Sequence, residues 1–243
     1  MTTLFEPLHF EPAYRRVATT IENKIMARDL NDGDSLPAET DLARQFGVNR
    51  STVREALREL QSKGLVARRE GGKRLFITHP QTSDVASGVS RALALHGVTF
   101  FEVWEAMMIV EPQAAALAAR KREAAQIDEL LTLNQKFDSV SADSAAAVAT
   151  VVDFFRTLAR CSQNRVLVLA QAPLMRLLSP TLARMIDQVP QARSRIVVAQ
   201  RHLIDTIRDR NAEEARNWME KHIRDFKRGY ELAGIALDYR VSV

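Results

Sequence analysis

Short polar side chains and arginines are concentrated in residues 49–54, which read Asn-Arg-Ser-Thr-Val-Arg. Where a helix begins, free backbone N–H groups and the helix dipole favour an anion, and neighbouring amides and hydroxyls add hydrogen bonds to phosphate oxygens. An arginine side chain also matches the two acceptors on the major-groove edge of guanine. The segment therefore predicts contact with DNA. The side chains that we expect to make this contact are Asn49, Arg50, Ser51, Thr52 and Arg54.

Basic residues are enriched around this segment. Residues 44–74 hold nine lysines and arginines against three acidic residues, a surplus of six positive charges, whereas the whole chain has a net charge of +4. The rest of the chain is therefore slightly acidic, and the basic excess is local. A local basic stretch is typical of a surface that binds a polyanion. The alternative is a solvated helix face, which charge alone does not exclude.

Two short helices joined by a tight turn are predicted to position these side chains. The first ends at Gly47, where a left-handed C-cap commonly requires glycine. The second begins after Asn49, a favourable N-cap, and ends at Gly64. A connection of about three residues between two helices is typical of a helix-turn-helix. An amphipathic helix over Tyr14 to Arg28 precedes it, because its apolar residues recur every fourth position.

A β-hairpin is predicted directly after the second of these helices. Two runs that contain apolar residues, 65–69 and 74–78, flank the turn 70–73, which contains two glycines. A helix-turn-helix followed by such a hairpin is a winged helix. The basic turn of the wing can reach phosphates or a minor groove.

Composition changes at His79 to Ser90, where proline, serines and a glycine predict a domain boundary. Beyond it the chain is rich in alanine and leucine with short polar breaks, which predicts helices. We therefore predict a winged helix-turn-helix DNA-binding domain over 8–79, a linker over 80–90 and an all-helical effector-binding and dimerisation domain over 91–240.

Apolar periodicity predicts the helices of the second domain. They are expected over Phe101 to Arg120, Glu123 to Phe137, Ser144 to Cys161, Val166 to Leu178, Ala192 to Arg208 and Ala212 to Leu237. Pro112 either begins a helix or kinks one, because proline lacks the N–H donor of the helical turn. Six or seven helices form an antiparallel bundle, so the predicted fold class is mainly α with a small β-hairpin wing.

The first domain resembles the GntR family of bacterial transcription regulators. The matching motifs are Leu36-Pro37-Ala38-Glu39, Leu42-Ala43, Phe46-Gly47-Val48, Asn49 to Leu60 and Gly64-Leu65-Val66. The resemblance implies that Arg50 and Arg54 contact bases or phosphates and that Gly71, in the wing, enters the minor groove. Thr40 stands where many relatives have a DNA-contacting arginine, so we expect that contact to be absent.

The all-helical domain is similar to the FadR subfamily, whose C-terminal module binds an effector and dimerises. The matching segments are Glu105 to Pro112, Leu158 to Asn164 and Ala215 to His222. Many members hold a divalent metal with an aspartate and three histidines. Three of those positions are held here by Val151, Phe155 and Gln200, and only His222 matches. An imidazole and an amide hold a transition metal poorly, so we predict no metal and no cofactor.

The same alignment predicts an effector pocket more apolar than is usual in the subfamily. Asp153 and His202 lie two residues out of register and should point about 200° away around their helices. Met107 stands where relatives often carry an arginine that binds a ligand carboxylate. The predicted lining is Met107, Val151, Phe155, Gln200 and His222. We expect an apolar organic acid or an acyl thioester as ligand; the alternative is that these side chains are ordinary core.

These features predict a bacterial, cytoplasmic transcription regulator, associated with the nucleoid when bound and, as most often in this family, a repressor. It should bind an inverted-repeat operator in double-stranded DNA as a homodimer and respond to a small organic metabolite. The alternative is a DNA-binding dimer whose helical domain only assembles. No catalytic motif such as Gly-x-Ser-x-Gly is found, so an enzyme is not expected. The single Cys161 excludes an internal disulfide, and no apolar run approaches the roughly 18 residues that predict a membrane helix.

Overall fold

The computed structural model describes residues 11–69, 71–140 and 143–242 of the chain. Two compact units are present, Met1–Gln81 (unit 1) and Thr82–Val243 (unit 2). Ten α-helices and one two-stranded antiparallel sheet make up the regular structure of the described residues. The predicted fold class, mainly α with a small β-hairpin wing, is confirmed. The predicted start of the first domain at residue 8 lies outside the described residues.

Unit 1 is a winged helix-turn-helix. Its elements are α1 (Ala13–Met26), α2 (Glu39–Phe46), α3 (Arg50–Ser62), β1 (Val66–Arg68) and β2 (Leu75–Ile77). Helix α1 packs on α3, and Val17, Ile21 and Val53 are buried in one apolar cluster. Gly47 follows α2 with a φ of +64°, the left-handed conformation that glycine adopts without steric cost. The tight turn between α2 and α3 depends on this residue.

The wing is attached to unit 1 by its inward-facing side chains. Strands β1 and β2 pair antiparallel, with Val66 opposite Ile77. The segment before α2 joins them, because the backbone N–H of Leu36 donates to the carbonyl of Leu75 over 2.9 Å. Val66, Leu75 and Ile77 are buried in the same cluster as α1 and α3. The hairpin is therefore held against the helix-turn-helix.

Unit 2 is a helix bundle. Its helices are α4 (Thr82–Leu95), α5 (Phe100–Lys121), α6 (Ala124–Ser139), α7 (Ser144–Cys161), α8 (Arg165–Gln188), α9 (Ala192–Arg208) and α10 (Ala212–Leu232). Helix α5 packs along α10, and α7 packs against both α6 and α8. One apolar core receives side chains from α5 to α10. Helices α7 and α9 occupy the ranges that their sequence periodicity predicts.

Helix α4 departs from the sequence prediction. The serines and glycine of residues 80–90 predict a linker, but residues 82–95 form a helix that packs on α8. Ala86 and Ser90, one helical turn apart, are both buried. Gly88 lies inside this helix, where a glycine costs about 1 kcal/mol of stability relative to alanine. Packing of the small side chains on α8 outweighs this cost. The division between the compact units accordingly follows Gln81.

Helix α8 is longer than its sequence predicts. The predicted end at Leu178 is wrong, because the helix continues through Pro180 to Gln188 and also contains Pro173. Each proline removes one backbone hydrogen bond, and packing of α8 on α4, α5 and α7 compensates. By length and composition alone α8 is apolar enough to cross a membrane. A core helix passes the same test, and α8 packs within the bundle.

Helices α5 and α10 are joined by aromatic side chains. The indole N–H of Trp104 donates to the carbonyl of Ile223 over 3.0 Å, and the Phe100 ring stacks on Tyr230 with centroids 4.0 Å apart. Pro112 lies inside α5 and does not begin a helix. Helix α10 ends at Leu232, short of the predicted Leu237, because the chain turns after it.

Gly47→Ala should lower the free energy of unfolding of unit 1 by about 1 kcal/mol, because alanine is strained at a positive φ. Gly88→Ala is the matched control. Gly88 lies inside α4 and an added Cβ would meet no atom within 4 Å, so alanine should stabilise unit 2 by roughly 0.5–1 kcal/mol. Urea unfolding followed by circular dichroism measures both changes. Two effects of the same sign would contradict this account of the two glycines.

Candidate functional site

A groove of about 820 Å³ lies on unit 1 between the start of α2, the start of α3 and the wing. Its basic side chains are Arg50, Arg68, Lys73 and Arg74. Glu39 and Asp41, at the start of α2, are its acidic residues. The surplus of positive charge makes the groove complementary to a polyanion.

The first turn of α3 borders this groove. Asn49 holds the N-cap position, as its sequence predicts, but its side chain makes no capping hydrogen bond. Arg50 and Ser51 are exposed, and Thr52 is half-buried. The first N–H groups of a helix have no partner within it, so an exposed polar first turn can bind a phosphate. The structure thus places four of the predicted contact residues in one turn.

Arg54, one turn further along α3, is held by a carboxylate from α2. Its Nε and Nη2 both donate to Oε2 of Glu39, over 3.2 and 3.1 Å. The Arg54 side chain is about half exposed, so the ion pair leaves it accessible from solvent. Glu39 was not among the site residues expected from sequence, because 15 residues separate it from Arg54 and no local pattern indicates the pair. Glu39 is therefore a candidate positioning residue.

The turn of the wing is exposed and basic. Gly71 has a φ of +73°, a left-handed conformation that suits glycine. The Arg69 guanidinium lies 4.0 Å from the centre of the Phe76 ring, and Lys73 and Arg74 line the groove. Glu70, the acidic residue of the predicted turn, lies outside the described residues.

The five residues predicted to line an effector pocket are all buried in unit 2. They are Met107 on α5, Val151 and Phe155 on α7, Gln200 on α9 and His222 on α10. Phe155 stacks on His222 with ring centroids 5.7 Å apart and planes 13° apart. Phe226 contacts both rings, with centroids 5.9 Å from Phe155 and 4.8 Å from His222. The imidazole is thus enclosed by aromatic side chains.

Several polar atoms of this core have no hydrogen-bond partner among the described residues. They include both carboxyl oxygens of Glu111, Nε2 of His222 and Nε2 of Gln200. The Gln200 side-chain oxygen accepts from Nδ2 of Asn134 over 3.3 Å. Buried polar atoms without a protein partner are uncommon, and a water molecule or a ligand can satisfy them. Glu111 and Asn134 were not among the predicted pocket residues.

Burial sets the protonation of the two ionisable groups. It raises the pKa of the Glu111 carboxyl to about 8 and lowers the pKa of the His222 imidazole to about 4, because the charged form of each loses its hydration. At neutral pH the folded protein therefore holds a protonated carboxylic acid and a neutral imidazole. Both can donate or accept a hydrogen bond without carrying charge.

The cavity that reaches His222 is small. Its volume is about 20 Å³, space for about one water molecule. Met185, Phe226 and Gly229 line it, and an ion pair between Arg195 and Asp225, 2.7 Å long, also borders it. An organic ligand at His222 therefore requires side chains to move.

The out-of-register residues do not join His222. Asp153 is partly exposed and pairs with Arg156 on its own helix. His202 is exposed and stacks on Trp218, with ring centroids 3.9 Å apart. Within residues 11–69, 71–140 and 143–242, no group of three or more His, Cys, Asp or Glu side chains is placed to hold a metal ion.

Comparison with known proteins matches both units. The model for bacterial regulatory proteins of the gntR family matches residues 13–74, and the FCD domain model matches residues 102–225. The transcriptional repressor NanR of Escherichia coli K12 is 29% identical in an alignment of 224 residues, with coverage of 89% of this chain and 84% of NanR. NanR of Shigella flexneri matches to the same extent. A solved GntR structure from Streptococcus agalactiae has the same fold, with a TM-score of 0.63, 24% identity, and coverage of 88% of this chain and 99% of that one.

Glu111→Gln should remove a pH dependence of stability. Because burial raises the pKa of Glu111 from 4.5 to about 8, folding takes up a proton between these values. Stability that is fully present below pH 4.5 is therefore lost as the pH rises towards 8, by at most about 1.4 kcal/mol per pH unit. In the glutamine variant this loss should be absent. Urea unfolding at several pH values from 6.5 to 8 measures it.

Glu105→Gln is the matched control for that experiment, because Glu105 is exposed on the same helix. It should retain the pH dependence of the unmodified protein. The measurement stays above pH 6.5 because His222, whose pKa is lowered, destabilises the fold only as the pH falls from 6.5 towards 4. A Glu111→Gln variant with the unmodified slope would show that Glu111 is ionised in the folded state.

Proposed function

Because the chain belongs to the GntR family of bacterial regulatory proteins and carries an FCD domain, we propose that it is a cytoplasmic transcriptional repressor that releases its operator when a small metabolite binds. Unit 1 is the DNA-binding domain in this proposal, and unit 2 binds the effector and dimerises. The observation that carries it is the basic groove of unit 1, bordered by the exposed first turn of α3. The similarity to NanR, a transcriptional repressor, supports repression.

Recognition of DNA is assigned to α3 and the wing. Asn49, Ser51 and Thr52 bind phosphate oxygens from the first turn, where the helix N-terminus favours an anion. Arg50 lies in the groove, and Arg54 is oriented by Glu39, so that each guanidinium can meet a guanine edge or a phosphate. Gly71 brings the wing backbone close to the minor groove.

A homodimer explains how two such domains read one site. A two-fold dimer presents two equivalent recognition helices, and an inverted repeat presents two equivalent half-sites. Each copy of α3 then occupies one major groove. We expect the operator half-sites to be separated by about one helical turn of DNA or a multiple of it.

The effector site is assigned to the buried polar atoms of unit 2. Met107, Val151 and Phe155 supply an apolar surface, and Gln200 and His222 supply hydrogen-bonding groups without a charge. None of these residues carries a positive charge, and Arg195 at the border of the cavity is already paired with Asp225, so a ligand with a large apolar body suits this lining better than a small dicarboxylate. We propose an apolar organic acid or an acyl thioester, bound without a metal or other cofactor, and no catalytic activity.

A second candidate function is a DNA-binding dimer whose helical unit only assembles. The stacking of Phe155 on His222 and the cavity of about 20 Å³ favour it, because the core is filled. The two candidates differ in ligand response. Screening metabolites for release of the operator separates them, and a ligand used at about 100 times its Kd should stabilise the fold by about 2.7 kcal/mol.

Arg50→Ala and Arg54→Ala should each weaken binding to the operator, which is first selected from a random DNA pool. The expected loss is about 1–3 kcal/mol where the arginine contacts a base, and a salt slope smaller by about one where it contacts a phosphate. Fluorescence anisotropy at several salt concentrations measures both. Arg16→Ala is the matched control, since Arg16 is exposed on α1 and does not line the groove. Equal affinities for all three variants would contradict the proposed interface.

The purified protein should contain no stoichiometric zinc, nickel or manganese. The reason is the donor set: Val151 and Phe155 cannot bind a metal, and Gln200 and His222 provide only an amide and one imidazole. Elemental analysis and the melting temperature with and without a chelator check this. Stoichiometric metal that is lost in a His222→Ala variant would show that Asp153 or His202 moves inward to complete a site.

A further inference from the structure

A second groove, on unit 2, has no role in the function proposed above. It lies between α4, α7 and α8 and has a volume of about 440 Å³. Small-molecule sites have volumes of roughly 300–1,000 Å³ and are mostly apolar, with a few polar groups that orient the ligand. Here Ala86, Val168 and Met175 supply apolar surface, and Gln171, Arg156 and Arg176 supply polar groups. None of the five predicted effector residues lines this groove.

Gln171 is the first observation that indicates a ligand. Its side chain lines the groove, the residue is only 2% exposed, and Nε2 has no hydrogen-bond partner among the described residues. An amide nitrogen is a donor, and a buried donor is normally paired. A ligand in the groove that offers an oxygen acceptor to this amide would satisfy it.

The arginines are the second observation. Arg156 pairs with Asp153 on α7, whereas Arg176 is exposed on α8 and has no carboxylate within 4 Å in the part of the chain that the structure describes. A carboxylate has two acceptor oxygens, so it can accept from a guanidinium and from a second N–H donor. The remaining apolar surface matches a hydrocarbon body. Among the described residues that line the groove, the other cation, Arg156, is already paired with Asp153, so a second negative charge on the ligand would find no unpaired cation there.

We propose that the groove between α4, α7 and α8 is a ligand site for a small monocarboxylate with an apolar body. Gln171 and Arg176 hold the carboxylate, and Ala86, Val168 and Met175 contact the hydrocarbon. Helix α4 begins directly after Gln81, where unit 1 ends. A ligand that joins α4 to α7 and α8 restrains the first helix of unit 2, and its effect on operator affinity rests on the proposed function.

Octanoate is the probe, titrated calorimetrically into the full chain without DNA at pH 7.5. It should bind at least about tenfold more tightly than 1-octanol, which lacks the carboxylate. Arg176→Gln should weaken octanoate binding by about tenfold, and Ala172→Phe, which fills the groove, should abolish it. Arg165→Gln is the matched control, because it removes the same charge from α8 outside the groove, and the affinity should be unchanged.

Three results would overturn the site. Absence of octanoate binding, or equal binding of octanol, would show that the ligand class is wrong. Octanoate binding that is insensitive to Arg176→Gln and Ala172→Phe but lost in Phe155→Trp would assign the ligand to the buried core. A change in the monomer–dimer equilibrium on sedimentation of Arg176→Gln, with octanoate affinity unchanged, would show that a second copy of the chain covers the groove. Each of these results is measured without DNA. Failure of the ligand site can therefore be distinguished from failure of the proposed function, which a separate assay of operator binding tests.

Discussion

Removal of polar side chains from water in the core of unit 2 is the constraint on which the bundle depends. Glu111, Gln200 and His222 are each at most 1% exposed, and each has side-chain atoms without a partner among the described residues. A bare charge cannot remain there, so the carboxyl keeps its proton and the imidazole stays neutral. Apolar packing from α5 to α10 must offset the lost hydration. The core is therefore held together by packing and strained by its polar groups.

In unit 1, by contrast, charged side chains must remain in water, and α3 alone provides both a buried face and an exposed face. Val53, Ala56, Leu57 and Leu60 form the buried face of α3, and α1 covers it. The other face leaves Arg50 and Arg54 in water, where the cost of charge is low. Glu39 fixes Arg54 without burying it. Because the buried face is fixed by packing, the orientation of the charged face follows from it, and rigid support of this kind positions a recognition helix.

Local signals in the sequence are sufficient for much of this fold. Gly47 and Asn49 delimit the two helices of the helix-turn-helix, and the apolar periodicity of α7 and α9 defines their ends. The errors fall where tertiary packing overrides local preference. Gly88 and Pro180 each disfavour a helix, yet both lie in helices that pack on one another, α4 and α8.

The candidate sites also combine features that have a local signal in the sequence with features that depend on tertiary packing. The polar first turn of α3 is visible in residues 49–54, whereas the pair between Glu39 and Arg54 joins two helices and no periodicity encodes it. Glu111 did carry a signal, because it lies one turn after Met107 on an otherwise apolar face of α5. A carboxylate in a buried stripe is either paired or functional. The sequence does not show which of the two applies, because any partner atoms come from other helices. The groove that contains Gln171 and Arg176 arises only when α4 packs on α8.

The energetics of the buried core are suited to a switch in the proposed function. A stacked aromatic contact such as Phe155 on His222 contributes about 0.5–1.5 kcal/mol, and an unsatisfied buried polar group costs about 1–3 kcal/mol. A ligand that moves the Phe155 ring and hydrogen-bonds His222 loses the stacking contribution and removes the cost of an unsatisfied polar group. The two arrangements then differ by only a few kcal/mol, the range in which differential binding of a metabolite shifts a population. A ligand without hydrogen-bonding groups would lose the stacking and leave the polar atoms unsatisfied, so the buried core selects ligands by polarity as well as by size.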